Sequence, residues 1–168
     1  KEAGLFEFDL DTGGLIGRYL LQEPGAAHFL NDLVVAPDGD VYVTHSYDAG
    51  QVWRLDADTR TFAPFYRGDA GFHNPKGITI TPDGKRLYVA GDFGISAIDI
   101  AQRTRRPVSV PMGVKLAGVD GLYFYGHGLV LIQPKLKRVS RCALDEAGLT
   151  VTDCRVLEQD HPMFDRSE

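Results

Sequence analysis

One nine-residue pattern occurs three times at nearly constant spacing in this 168-residue chain, and that limits it to a repeating architecture. Asn31-Asp32 leads through Pro37-Asp38-Gly39 into Val41-Tyr42-Val43-Thr44. Lys76-Gly77 leads through Pro82-Asp83-Gly84 into Leu87-Tyr88-Val89-Ala90, and Asp120-Gly121 leads through Gly126-His127-Gly128 into Leu129-Val130-Leu131-Ile132. The copies begin at positions 31, 76 and 120, and each turn starts six positions after its copy begins. Glycine in these turns accepts the positive φ that a tight hairpin demands, so each copy predicts two strands joined by a short turn.

A second element falls between the copies. Gly4 to Asp9, Gly50 to Asp56, Gly94 to Asp99 and a looser Lys137 to Asp145 alternate apolar and other residues at period two, then end in turns rich in Asp, Thr or Gly. Short segments at 15–21, 61–67, 106–111 and 149–157 follow as fourth strands. No stretch carries a sustained 3.6-residue apolar period with helix caps, so the chain reads as all-β. Four short strands per repeat of about 45 residues is the pattern of a β-propeller built from four-stranded antiparallel blades. Its phase gives one partial propeller domain of about three and a half blades: a half blade at 4–21, blades at about 30–67, 76–111 and 118–157, and a tail at 158–168 that reads as a linker toward a next blade. An open arc exposes the flanks of its end blades, so self-association is expected. Pairing of two copies would bring the count to seven blades.

Composition narrows the classes of partner. With 43% hydrophobic and 24% charged residues the chain has the make-up of a globular domain large enough to bury a core unaided. The net charge is -5, and the densest basic segments, Arg103-Arg105-Arg106 and Lys135-Lys137-Arg138, are too short to form the continuous face that nucleic acid requires. No apolar run approaches the roughly 20 residues of a membrane span, so no membrane partner is expected. Lys1-Glu2-Ala3 runs straight into a strand-like segment, so no signal peptide is expected within these residues, and the compartment is left open. Cys142 and Cys154 fit no zinc spacing. A disulfide between them would need a bulge or a longer loop than a two-residue turn, and the expectation is two ordinary thiols.

Propeller geometry brings the innermost strands together around one axis, so Asn31, Lys76 and Asp120 are expected to converge there. Oxygen donors at such a point suit a hard cation such as Ca²⁺, which polarises an ester or lactone carbonyl. His45, at the end of a second strand, is a candidate substrate contact, and His45 and His73 are candidate general bases, set against the plainer reading as ordinary surface or loop histidines. His28 reads as a surface or loop histidine, His127 as a turn residue and His161 as part of a loop. Trp53, Tyr42, Tyr88, Phe72 and Phe93 read as packing between blades.

The three copies together resemble the regucalcin/gluconolactonase family over most of the chain, through Asn31-Asp32 with its Asp-Gly turn, Pro75-Lys76-Gly77-Ile78 followed by Thr81-Pro82-Asp83-Gly84-Lys85-Arg86-Leu87-Tyr88-Val89, and Asp120-Gly121. The resemblance implies a six-bladed ring that opens a lactone or related ester with a divalent cation such as Ca²⁺. It assigns Asn31 to the substrate pocket near the metal, and Asp120 to the metal and to the role of base. Two positions depart from the family pattern. Lys76 stands where the family has the metal-binding Asn of a Pro-Asn-Gly motif, and the family's metal-binding Glu belongs to a blade that would precede Lys1. The resemblance therefore leaves a partial metal site of Asp120 and Asn31, with Asn74 close by but out of register. Three readings follow: a lactone or ester hydrolase that uses Asp120 as base, Asn31 and either a divalent cation or, in a sharper version, the Lys76 ammonium to polarise the carbonyl; a binding or scaffold propeller in which Lys76 has replaced the metal by pairing with Asp120 and donating to Asn31; or a structural half-propeller that completes its ring by dimerisation.

Overall fold

The structure, a computed structural model, describes residues 2–21, 27–47, 50–69 and 71–166. Four antiparallel sheets follow one another in chain order. The first has two strands, β1 (Gly4–Phe8) and β2 (Leu15–Leu20). The second holds β3 (Leu30–Val35), β4 (Val41–His45), β5 (Gln51–Leu55) and β6 (Phe62–Arg67), paired in that order. The third holds β7 (Ile78–Ile80), β8 (Arg86–Gly91), β9 (Gly94–Asp99) and β10 (Thr104–Pro107), and the fourth β11 (Gly121–Phe124), β12 (Gly128–Gln133), β13 (Arg138–Leu144) and β14 (Val151–Gln159). Each sheet is a meander, and the fold is a partial β-propeller. No helix among the described residues is long and apolar enough to cross a membrane.

Blades adhere through the apolar residues that alternation places on their faces. Tyr42, Phe65, Ile78, Leu87, Val89 and Ile98 form one buried cluster, and Tyr88, Leu122, Leu129, Leu131 and Val151 belong to a second. Burying a side chain of this size contributes about 1.5–3 kcal/mol, so these seams are the main source of cohesion. Trp53 and Phe72 are buried as expected of packing aromatics, whereas Phe93 is 78% exposed, with its ring edge-on to His73. Phe93 sits in the two-residue turn between β8 and β9, where no neighbouring blade covers it.

The repeated Asp after each third strand has a structural use. Asp9 Oδ1 accepts the backbone N–H groups of Asp11 and Thr12, Asp56 Oδ1 those of Asp58 and Thr59, Asp99 Oδ1 that of Gln102, and Asp145 Oδ1 those of Leu149 and Thr150. Each carboxylate thereby closes the turn into the fourth strand. The same device closes β1 to β2 and β5 to β6, which identifies β1 and β2 as third and fourth strands, the outer half of a blade.

One expectation is corrected. Cys142 and Cys154 are disulfide-bonded rather than free, and they face each other directly across β13 and β14 with Cα atoms 4.1 Å apart. A register shift between Ala143 and Leu144, beside the turn, supplies the bulge that brings them opposite. At the tail, β14 runs on to Gln159, and Pro162–Arg166 form a 3₁₀ turn. Outer strands are the least buried elements, so their ends carry the weakest periodic signal, which is why β10 also starts earlier than the sequence pattern indicates.

Candidate functional site

Three innermost strands bring their leading residues to one end of the propeller. Asn31, Lys76 and Asp120 line a common cavity of about 440 Å³, together with Phe29, Ser46, Tyr47 and Asn74. Within it, Lys76 Nζ lies 3.2 Å from Asp120 Oδ1, an ion pair between adjacent blades in which the lysine side chain is 33% exposed and the aspartate 51%. Both ends stay wet, so the pair adds little to stability, roughly 0–1 kcal/mol. No hydrogen bond joins Lys76 to Asn31 among the described residues.

The backbone that carries this pair is fixed with more care than the pair itself. Lys76 N donates to Ala90 O at 2.8 Å and Asp120 N to Ile132 O at 2.9 Å, each tying the leading residue to the second strand of its own blade. Thr44 Oγ1 donates to Lys76 O at 2.7 Å, Ser46 Oγ donates to Pro75 O at 2.6 Å, and Asp32 Oδ2 accepts the N–H of Ile78 at 3.0 Å, so the preceding blade clamps this segment from both sides. Gly77 sets the approach of the following blade: a Cβ there would lie 2.6 Å from Asp120 O and 2.8 Å from Leu122 N. Only glycine lets β7 and β11 come this close, and that closeness places the ammonium against the carboxylate.

His45 does not line the cavity. It is 2% exposed, and its Nε2 lies 3.0 Å from Nδ1 of His28. The repeat explains why. His45 and Gln133 end the second strands of their blades, and Gln133 Nε2 donates to Ala117 O at 2.9 Å, three residues before Asp120, as His28 is three before Asn31. Each clamps the loop that enters its innermost strand. His73 lines a different cavity, beside Phe93 and Arg105, and His127 occupies its turn at φ 55°. Asn74 was out of register on the sequence pattern, yet it reaches the cavity wall because φ 49° turns the backbone there, and its Nδ2 donates to Asp92 Oδ1 at 3.0 Å. Ser46 and Tyr47 carried no sequence signal, since they follow the strand β4 and fall outside the alternation.

The divalent cation implied by the family resemblance does not fit these residues. Ca²⁺ takes six to eight oxygens with several carboxylates, whereas the described residues of this wall offer one carboxylate, already facing an ammonium, and the neutral oxygens of Asn31, Asn74, Ser46 and Tyr47. Nor do three or more His, Cys, Asp or Glu side chains converge anywhere among the described residues.

No protein-family model matches the chain, and no curated protein sequence matches it. Solved structures do. A gluconolactonase from Xanthomonas campestris superposes with a TM-score of 0.62 at 21% identity, over 87% of this chain and 52% of its own. Regucalcin, a calcium-binding protein from Agrobacterium tumefaciens, gives 0.63 at 20% identity over 86% and 51%. Virginiamycin B lyase from Staphylococcus aureus gives 0.64 at 16% identity over 94% and 49%. The likeness is one of fold. At such identities it carries no activity across, and the chain spans about half the length of these three proteins.

Proposed function

We propose that this chain forms part of a propeller hydrolase that opens a lactone or related ester at the channel mouth, with Lys76 and Asp120 as its working pair. The observation that carries the reading is the 3.2 Å approach of an ammonium to a carboxylate inside a solvent-open cavity of about 440 Å³. The fold likeness to a gluconolactonase and to regucalcin supports it. Lys76 donates a hydrogen bond to the acyl oxygen and stabilises the oxyanion that develops there. Asp120 takes a proton from water as the water oxygen bonds to the acyl carbon. The acyl–oxygen bond then breaks, and the departing alkoxide recovers the proton from Asp120 to give a hydroxy acid. Asn31 and Asn74 orient the polar rim of the substrate.

A panel of aldonolactones and simple esters, followed by acid release, tests this. Turnover in the wild type that falls about 100-fold or more in Asp120→Asn and Lys76→Met is the expected result. Turnover unchanged by either substitution sinks the assignment. A second reading rests on the same ion pair: because each charge already satisfies the other, the cavity can hold a small polar ligand without chemistry. Saturable binding with no acid released selects that reading.

A further inference from the structure

We infer that the Lys76 ammonium is the resident cation of this cavity, and that the site works without a divalent metal. Lys76 is fixed from both sides: Thr44 and Ser46 hold the carbonyls of Lys76 and Pro75, and Gly77 brings the next blade against it. The backbone that carries the lysine therefore cannot leave the wall without moving two innermost strands, which keeps the root of the side chain beside Asp120. Its Nζ lies 3.2 Å from Asp120 Oδ1, the one carboxylate that the described residues bring to the cavity wall, so a dication arriving there meets a like charge and finds that anionic ligand already engaged. An ammonium offers three donors and no lone pair, so it repels a metal and cannot join its coordination shell. It supplies to a bound carbonyl or carboxylate the positive charge that a metal would otherwise supply, as a single fixed charge with directional hydrogen bonds.

This inference concerns ion binding and does not depend on hydrolysis. The test is titration of the folded wild-type chain with Ca²⁺ by calorimetry and with Tb³⁺ by luminescence excited through Tyr47, which lines the cavity. The wild type is expected to show neither heat nor sensitised emission. Lys76→Asp is expected to bind roughly tenfold or more tighter, because affinity in oxygen sites follows the count of charged ligands. The gain is expected to vanish when Asp120→Asn is added. Lys76→Asn, which supplies a neutral oxygen, is the fallback where the aspartate variant fails to fold, with a smaller gain expected. Saturable Ca²⁺ binding by the wild type overturns the inference, as does absence of any gain in a folded Lys76→Asp or Lys76→Asn. If turnover of a lactone is found, it is expected to be unchanged by a chelator. Loss of turnover on chelation overturns the inference and leaves the hydrolase reading standing, whereas no turnover at all removes the hydrolase reading without touching the metal titration.

Discussion

Thr44 donates its hydroxyl proton to the backbone carbonyl of Lys76, 2.7 Å away in the next blade, and also accepts the N–H of Asp32 at 3.1 Å. One fully buried hydroxyl thus joins the innermost segments of two blades, at Asp32 and at Lys76. Thr44→Val keeps the shape and removes both bonds. It is expected to cost about 1–2 kcal/mol, because two half-buried backbone groups lose their partner, and chemical denaturation checks it. A midpoint equal to the wild type would show that the bridge is dispensable.

Gly77→Ala places a methyl group against backbone on the adjacent blade, 2.6 Å from Asp120 O, and neither neighbour there is a flexible side chain. Overpacking of this kind costs about 1–3 kcal/mol. The predicted result is a less stable protein in which amide signals of β11 and of Asp120 shift more than those of β1 and β2. Shifts confined to residue 77 and its chain neighbours would contradict the close packing of the two strands.

Stability should fall at both extremes of pH. The carboxyl groups of Asp9, Asp83 and their counterparts Asp56, Asp69 and Asp145 are held below the ordinary 3.8 by hydrogen bonds, led by the Thr12 hydroxyl at Asp9, the Thr81 hydroxyl at Asp83, and the backbone N–H groups of Thr59, Gly71 and Leu149 at the other three. The unfolded chain therefore binds protons more readily, so this contribution is complete above 3.8 and is lost as pH falls below it. Burial pushes the Tyr42 phenol from 10.0 up to about 12, and its contribution is present below 10.0 and lost as pH rises through that interval. Melting temperatures across pH 2–12 are expected to drop below about 4 and above about 10. A flat acid limb would show that the turn carboxylates do not stabilise the fold.

Reducing the Cys142–Cys154 bond, which closes a loop of sequence separation 12, is expected to destabilise the protein by about 2–3 kcal/mol through the freedom returned to the unfolded chain. Denaturation with and without a reductant measures this, and mass spectrometry after alkylation reports the bond itself. A chain that alkylates at both cysteines without reductant would refute the pairing.

The propeller was legible because its signal is repetition. Alternation within strands and the Asp-Gly turns recur at Asn31, Lys76 and Asp120, and the same register places these three residues on one wall. What the sequence left hidden depends on departures from the period. Asn74 enters the cavity through a positive φ, the disulfide depends on a bulge beside Leu144, and Ser46 and Tyr47 follow the end of a strand. His45 shows the same limit: position at a strand end indicates proximity to the channel, whereas its burial against His28, 17 residues away in sequence, has no periodic signal.

The outer half blade bears on how the molecule breathes. β1 and β2 contribute no residue to either buried cluster, Phe6 and Phe8 stand more than half exposed, and Arg60 ties the pair to the rest through Glu7 and Tyr19. A tether made of charge and one aromatic face is screened by salt, whereas the apolar seams between blades are not. Amide exchange in β1 and β2 should therefore quicken as ionic strength rises, while β4 and β8 keep the protection of the globally folded state. Ionic strength thus sets how often this half blade swings away from the blade beside it.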